Sequence, residues 1–128
     1  MPHPAADGQV APVALDDVAD VAAAVLRDPT AHVSHTYDLT GPEALTLDEV
    51  AAILTDVTRR DVRYHAETMT EARASRVSYG APDWQVEAWI STYTAIAAGE
   101  LAAVSGDVER LTGHPATPLA EVLRRALG

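Results

Sequence analysis

The chain has 128 residues, 48% of them hydrophobic, and a formal net charge of −10. That is enough for one core and too little for two domains of ordinary size, and so acidic a surface excludes nucleic acid and anionic membranes as partners. Without cysteine or lysine it has no disulfide, thiolate metal site, Schiff-base amine or phosphate-loop lysine.

Residues 1–8 are rich in Pro and Ala and are expected to form a flexible arm. A short strand is expected over Gln9–Val13. A helix follows, N-capped by Asp16 or Asp17, with Val18, Val21, Ala22, Val25 and Leu26 on one face and Pro29 as its stop. After a loop over 30–35, Tyr37 and Leu39 alternate with polar residues, which predicts a strand over Thr36–Leu39, and Gly41-Pro42 breaks it. Thr46 and Glu49 form a capping box, with Leu45 and Val50 at the staple positions, and predict a helix over Leu47–Thr58.

A strand is expected over Val62–His65, and a second capping box, Thr68 with Glu71, opens a helix that runs to about Tyr79 and ends at Gly80 and Pro82. Asp83 caps the longest predicted helix, Trp84 to about Val104, whose stripe is Val86, Trp89, Ile90, Tyr93, Ala97, Leu101 and Val104, with Gly99 a weak point inside it. The last helix starts at Thr117 as N-cap with Pro118 at N1. These elements make a helix-rich α+β fold of about five helices and three short strands, with residues 9–128 as one lobe. No segment reads as a signal peptide or a membrane-spanning helix, which fits the cytoplasm.

Chemistry-bearing residues concentrate between Tyr64 and Tyr93. Aromatic walls with a few polar groups suit a small hydrophobic ligand, so Tyr64, Trp84 and Trp89 are candidate substrate-binding residues. His65 and Glu87 are candidate general acids or bases, with Asp83 a further one and Tyr93 a donor to a developing oxyanion. Tyr93 on the apolar stripe also reads as core, and Asp83 as a helix cap. Asp16, Asp17 and Asp20 could share a cation, but capping and the helix dipole explain them more simply. His3, His32, His35, His65 and His114 lack zinc-site spacing, so no metal is expected.

Three segments, DGQVAPVALDDVADVAAAVLRDP, TYDLTGPEALTLDEVA and GELAAVSGDVERLTGHPATPLAEVL, together resemble the C-terminal, substrate-side lobe of NmrA-like proteins, the atypical short-chain dehydrogenase/reductase relatives that include NAD(P)H:quinone reductases. In that family these segments follow a Rossmann domain with a glycine-rich phosphate loop. The seven glycines here are scattered, so no such loop can be built and no cofactor is expected. The resemblance places Thr36–Leu39 in the family's large sheet. Unpaired here, it is expected to form a homodimer edge or to join a separate Rossmann-bearing subunit. Two functions follow. One is a cofactor-independent tailoring enzyme that cyclises, isomerises or eliminates on a hydrophobic small molecule in biosynthesis. The other is a non-catalytic ligand-binding or assembly module, or the detached half of a split reductase.

Overall fold

A computed structural model describes residues 1–127, which are helix-rich, with short strands. Two compact units contribute, one made of Met1–Val10 with Leu45–Ala102 and the other of Ala11–Ala44 with the stretch from Ala103 onward. Residues 9–128, expected as one lobe, are shared between them. No helix among the described residues is long and apolar enough to cross a membrane.

The first unit contains four two-residue strands, β1 (Pro2–His3), β2 (Gln9–Val10), β3 (Leu45–Thr46) and β4 (His65–Ala66), and helices α2 (Leu47–Thr58), α3 (Met69–Arg76) and α4 (Asp83–Ala97). β1 pairs parallel with β4, and β2 antiparallel with β3. The segment expected to be an arm is therefore tied down. His65 N–H donates to Met1 O and Glu67 N–H to His3 O, each at 3.0 Å, and Ala5 is fully buried with Leu47 and Ile96. The strand expected over Val62–His65 forms only at its end, because the backbone of Val62 bonds the Thr55 hydroxyl instead.

Both capping boxes form. The Thr46 and Thr68 hydroxyls accept from the N–H groups of Glu49 and Glu71, whose carboxylates accept from the cap N–H groups in return. Helix α2 has the predicted bounds. Replacing Thr46 by Ala should cost about 1 kcal/mol, read as a lower urea midpoint at unchanged slope. An unchanged midpoint would mean that Glu49 and water satisfy the helix start unaided.

Helix α4 departs from prediction at both ends. Pro82 is its N-cap and Asp83 its first residue, with no side-chain cap bond. It stops at Ala97 because Gly99 takes φ +80°, a conformation that ends a helix and that L side chains rarely adopt. Leu101 and Val104 are thus outside the helix and exposed, and Ile96 in place of Ala97 carries the stripe into the core beside Ile90. Gly8 packs against the same helix: a Cβ there would meet Ile96 O at 2.0 Å, so only glycine fits.

The second unit holds helices α1 (Leu15–Arg27), α5 (Asp107–Thr112) and α6 (Leu119–Leu127). α1 packs on α5, burying Val21 and Val108. Asp16 and Asp17 do not cap α1. Ala14 is its N-cap, and Asp17, buried inside the first turn, accepts from the Thr117 N–H at 2.7 Å and the Thr117 hydroxyl at 2.9 Å. The Thr117 hydroxyl is consequently committed to α1 rather than to capping α6.

Thr36–Leu39 is not a strand. Side chains replace a neighbouring ladder there: Asp38 N–H donates to Asp107 Oδ2 at 2.9 Å, and Tyr37 Oη lies 2.7 Å from His32 Nδ1. Alternating sequence provided the pattern of a strand, but a strand also requires a partner, and none lies beside it among the described residues.

Candidate functional site

Helices α3 and α4, the turn after α3 and strand β1 of the first unit border an open groove of about 630 Å³ lined by Pro2, His3, Arg76, Tyr79, Trp89 and Tyr93, together with Ser75 and Thr92. Arg76 lies at the end of α3, where a cation complements the helix dipole, but its place in the groove comes from longer-range contacts. Its guanidinium donates through Nη1 to Glu67 Oε2 at 2.9 Å, Ala72 O at 2.8 Å and Ser75 Oγ at 2.9 Å, and Nη2 lies 3.3 Å from His3 Nδ1. The side chains of Arg76 and Glu67 are 8% and 3% exposed, so this ion pair is buried. Burial alone would raise the Glu67 carboxyl pKa, but the hydrogen bond from Arg76, with the Arg76 charge, brings it below the ordinary range.

The His3 imidazole stacks on Tyr93 with centroids 4.0 Å apart and planes 4° from parallel. Burial first, and the Arg76 cation next, hold its pKa below the usual imidazole value, with Glu67 opposing them. Tyr79 meets Trp89 edge to face at 5.9 Å. Trp89 is 37% exposed and Tyr79 72% exposed, so both rings present apolar area to whatever enters.

Of the residues nominated from sequence, Trp89 and Tyr93 line this groove and the others do not. Tyr64 packs on the core and donates its hydroxyl to His3 O at 2.9 Å. His65 is exposed on β4. Trp84 is 73% exposed beyond the lining. Glu87 is locked to Arg73 by two hydrogen bonds of 2.6 and 3.3 Å, which hold its carboxyl below the ordinary range. His3, Arg76 and Tyr79 were missed. For His3 the misleading signal was the composition of its segment. For Arg76 a sequence clue existed in Glu67, nine residues earlier and aligned with it only once α3 has formed.

A second cluster lies in the other unit, where ligand atoms of Asp17, Asp20 and His114 fall within 4.8 Å of one another. Its members already serve one another. Asp17 is committed to Thr117, and His114 Nε2 lies 2.8 Å from Asp20 Oδ2 while Nδ1 lies 2.9 Å from Pro115 O. The Pro115 carbonyl first, and Asp20 next, raise the His114 pKa, as expected for an imidazolium donating to both.

The glycines offer no cradle for a dinucleotide pyrophosphate. Gly8 and Gly41 are pressed against the carbonyls of Ile96 and Pro12, and Gly80, Gly99 and Gly113 take positive φ at or just beyond helix ends. These five glycines therefore form no glycine-rich phosphate loop.

No protein-family model matches the chain. It is 36% identical over 118 residues to the NAD(P)H azoreductase of Xenophilus azovorans and 32% identical over 117 residues to quinone oxidoreductase 2 of Escherichia coli strain K12. These alignments cover 92% and 91% of this chain but 41% of each relative. Among solved structures, the Citrobacter sp. triphenylmethane reductase complexed with NADP(H) matches with a TM-score of 0.87 at 32% identity, over 99% of this chain and 44% of that one. The Escherichia coli NADPH-dependent quinone oxidoreductase complexed with NADPH matches with a TM-score of 0.86 at 29% identity, over 100% of this chain and 45% of that one. The chain thus spans less than half the length of these relatives, and it is a homologue of the C-terminal part of NmrA-like, NAD(P)H-dependent reductases.

Proposed function

We propose that this chain is the acceptor-binding lobe of an NAD(P)H-dependent reductase, holding a flat aromatic molecule in the groove of its first unit while residues outside these 128 hold the dinucleotide. The observation that carries this reading is the convergence of Trp89, Tyr79, Tyr93 and His3 on one groove. Ring faces and edges of that kind bind planar aromatics through burial and stacking. The relatives' names point the same way, since an azoreductase, a quinone oxidoreductase and a triphenylmethane reductase all name aromatic or quinonoid acceptors.

The cofactor-independent acid/base reading has less support. His65 and Glu87 lie outside the groove lining, and Glu87 is held as a carboxylate by Arg73. The homodimer expected through Thr36–Leu39 loses its basis as well, because Asp38 N–H is already taken by Asp107. A Rossmann-bearing polypeptide, the other partner expected from sequence, remains the one this function requires.

Calorimetric titration tests the reading. A planar azo dye should bind the wild-type chain saturably, and Trp89→Ala should weaken it about tenfold, the loss of about 1.4 kcal/mol of ring contact. NADPH should not saturate the chain alone. Tight NADPH binding, or dye binding indifferent to Trp89, would sink the proposal.

A further inference from the structure

The hydrogen bonds around His3 fix which of its nitrogens carries a proton. A guanidinium only donates, so His3 Nδ1, 3.3 Å from Arg76 Nη2, must present its lone pair. The proton of the neutral ring then sits on Nε2, which has no hydrogen-bond partner among the described residues. Protonating Nδ1 would set two donors against each other beside a cation. The ring cannot make a half-turn to hide its free N–H without losing the bond from Arg76, and a smaller turn costs the stack on Tyr93 as well.

We propose that His3 is held as the Nε2–H tautomer and donates that N–H to an uncharged acceptor atom, a quinone-type carbonyl oxygen, of the aromatic molecule in the groove. This rests on the acceptor-binding reading above and names the ligand class for it. Other polar groups in the groove are less selective. The Ser75 hydroxyl is engaged, donating to Ala72 O at 3.1 Å and accepting from Arg76, while the hydroxyls of Tyr79 and Thr92 rotate and can donate or accept. The imidazole N–H is a donor of fixed direction.

Charge narrows the class further. Arg76 stands 6.0 Å from the Tyr93 ring centroid, and its positive charge is matched by Glu67 at 2.9 Å, so this wall exerts no strong pull on either a cation or an anion. A neutral carbonyl compound suits that balance.

Two measurements on the wild-type chain decide the matter, and a variant sharpens them. Long-range proton–nitrogen NMR of the His3 ring should show the Nε2–H pattern; an Nδ1–H pattern or an even mixture overturns the proposal. Calorimetry should show 1,4-naphthoquinone binding about tenfold more tightly than naphthalene, as one retained hydrogen bond implies. His3→Phe, which keeps a ring for Tyr93, should erase that preference. If both compounds bind equally to the wild type, the His3 inference fails and the groove stands. If neither binds, the groove reading itself fails, and the ligand assignment with it. The tautomer and the wild-type preference need no substitution, so a variant that does not fold leaves the test intact.

Discussion

Arg76→Met should lower the stability of the protein by about 3–5 kcal/mol, because it strands the Glu67 carboxylate, 3% exposed, without its cation. Glu67→Gln should cost a similar amount by stranding Arg76. Loss of charge alone does not set the size of the effect. Desolvating either ion is expensive, and the pair is tolerated because the guanidinium also reaches Ala72 O, Ser75 Oγ and His3 Nδ1. The double variant Glu67→Gln with Arg76→Met removes both charges and should recover most of the loss, so urea unfolding of the two singles and the double forms a thermodynamic cycle. A double variant as unstable as Arg76→Met would show that the guanidinium matters for packing rather than for pairing.

The same cluster sets a pH dependence with a definite sign. Glu67 has a folded pKa below its ordinary 4.5, so its contribution is present above that value and is lost as the pH falls through the folded one. His3 has a folded pKa below its ordinary 6.5, so from there downward the unfolded chain binds the proton first. Both act in one direction. Near neutral pH the raised His114 works against His3, so the clear fall in the urea midpoint should come below the ordinary carboxylate range, and it should be smaller but still present in the double variant, where Glu71 and Glu87 are also held below that range.

What the sequence revealed and what it hid follow from the range of the interactions. The capping boxes at Thr46 and Thr68 are written three residues apart and were legible in full. The end of α4 was misjudged because an apolar period continues past Gly99 in sequence, whereas the backbone at φ +80° does not continue the helix. The groove was legible only in part. Trp89 and Tyr93 share one helix, so their spacing could be read, but the residues that turn that face into a site come from far away: His3 meets Arg76 across 73 positions. Polar pairs at such separations leave no periodic trace, and a histidine in a Pro- and Ala-rich opening resembles one in a solvated tail.

Asp17→Ala should be the most damaging polar substitution in the second unit, at about 3 kcal/mol. Asp17 is 2% exposed, and its carboxylate receives two hydrogen bonds from Thr117, one from the backbone and one from the hydroxyl, across 100 positions of sequence. Hydrogen bonds to a charged group contribute about 1.5–3 kcal/mol each, discounted here because water can reach the half-buried Thr117 once the carboxylate is gone. Asp17→Asn gives the sharper test. Its oxygen can still accept from the Thr117 N–H while its NH2 donates to the Thr117 hydroxyl, which rotates to accept, so only the charge is lost. Asn should therefore recover part of the loss, whereas Thr117→Ser, which keeps both donors to the carboxylate, should cost less than either. Urea midpoints in the order wild type, Thr117→Ser, Asp17→Asn, Asp17→Ala would establish that the tie between α1 and the start of α6 depends on the charge of the carboxylate as well as on its two hydrogen bonds. An Asn variant as stable as the wild type would show that the hydrogen bonds alone hold the tie, and an Ala variant as stable as the wild type would reduce Asp17 to a space-filling residue.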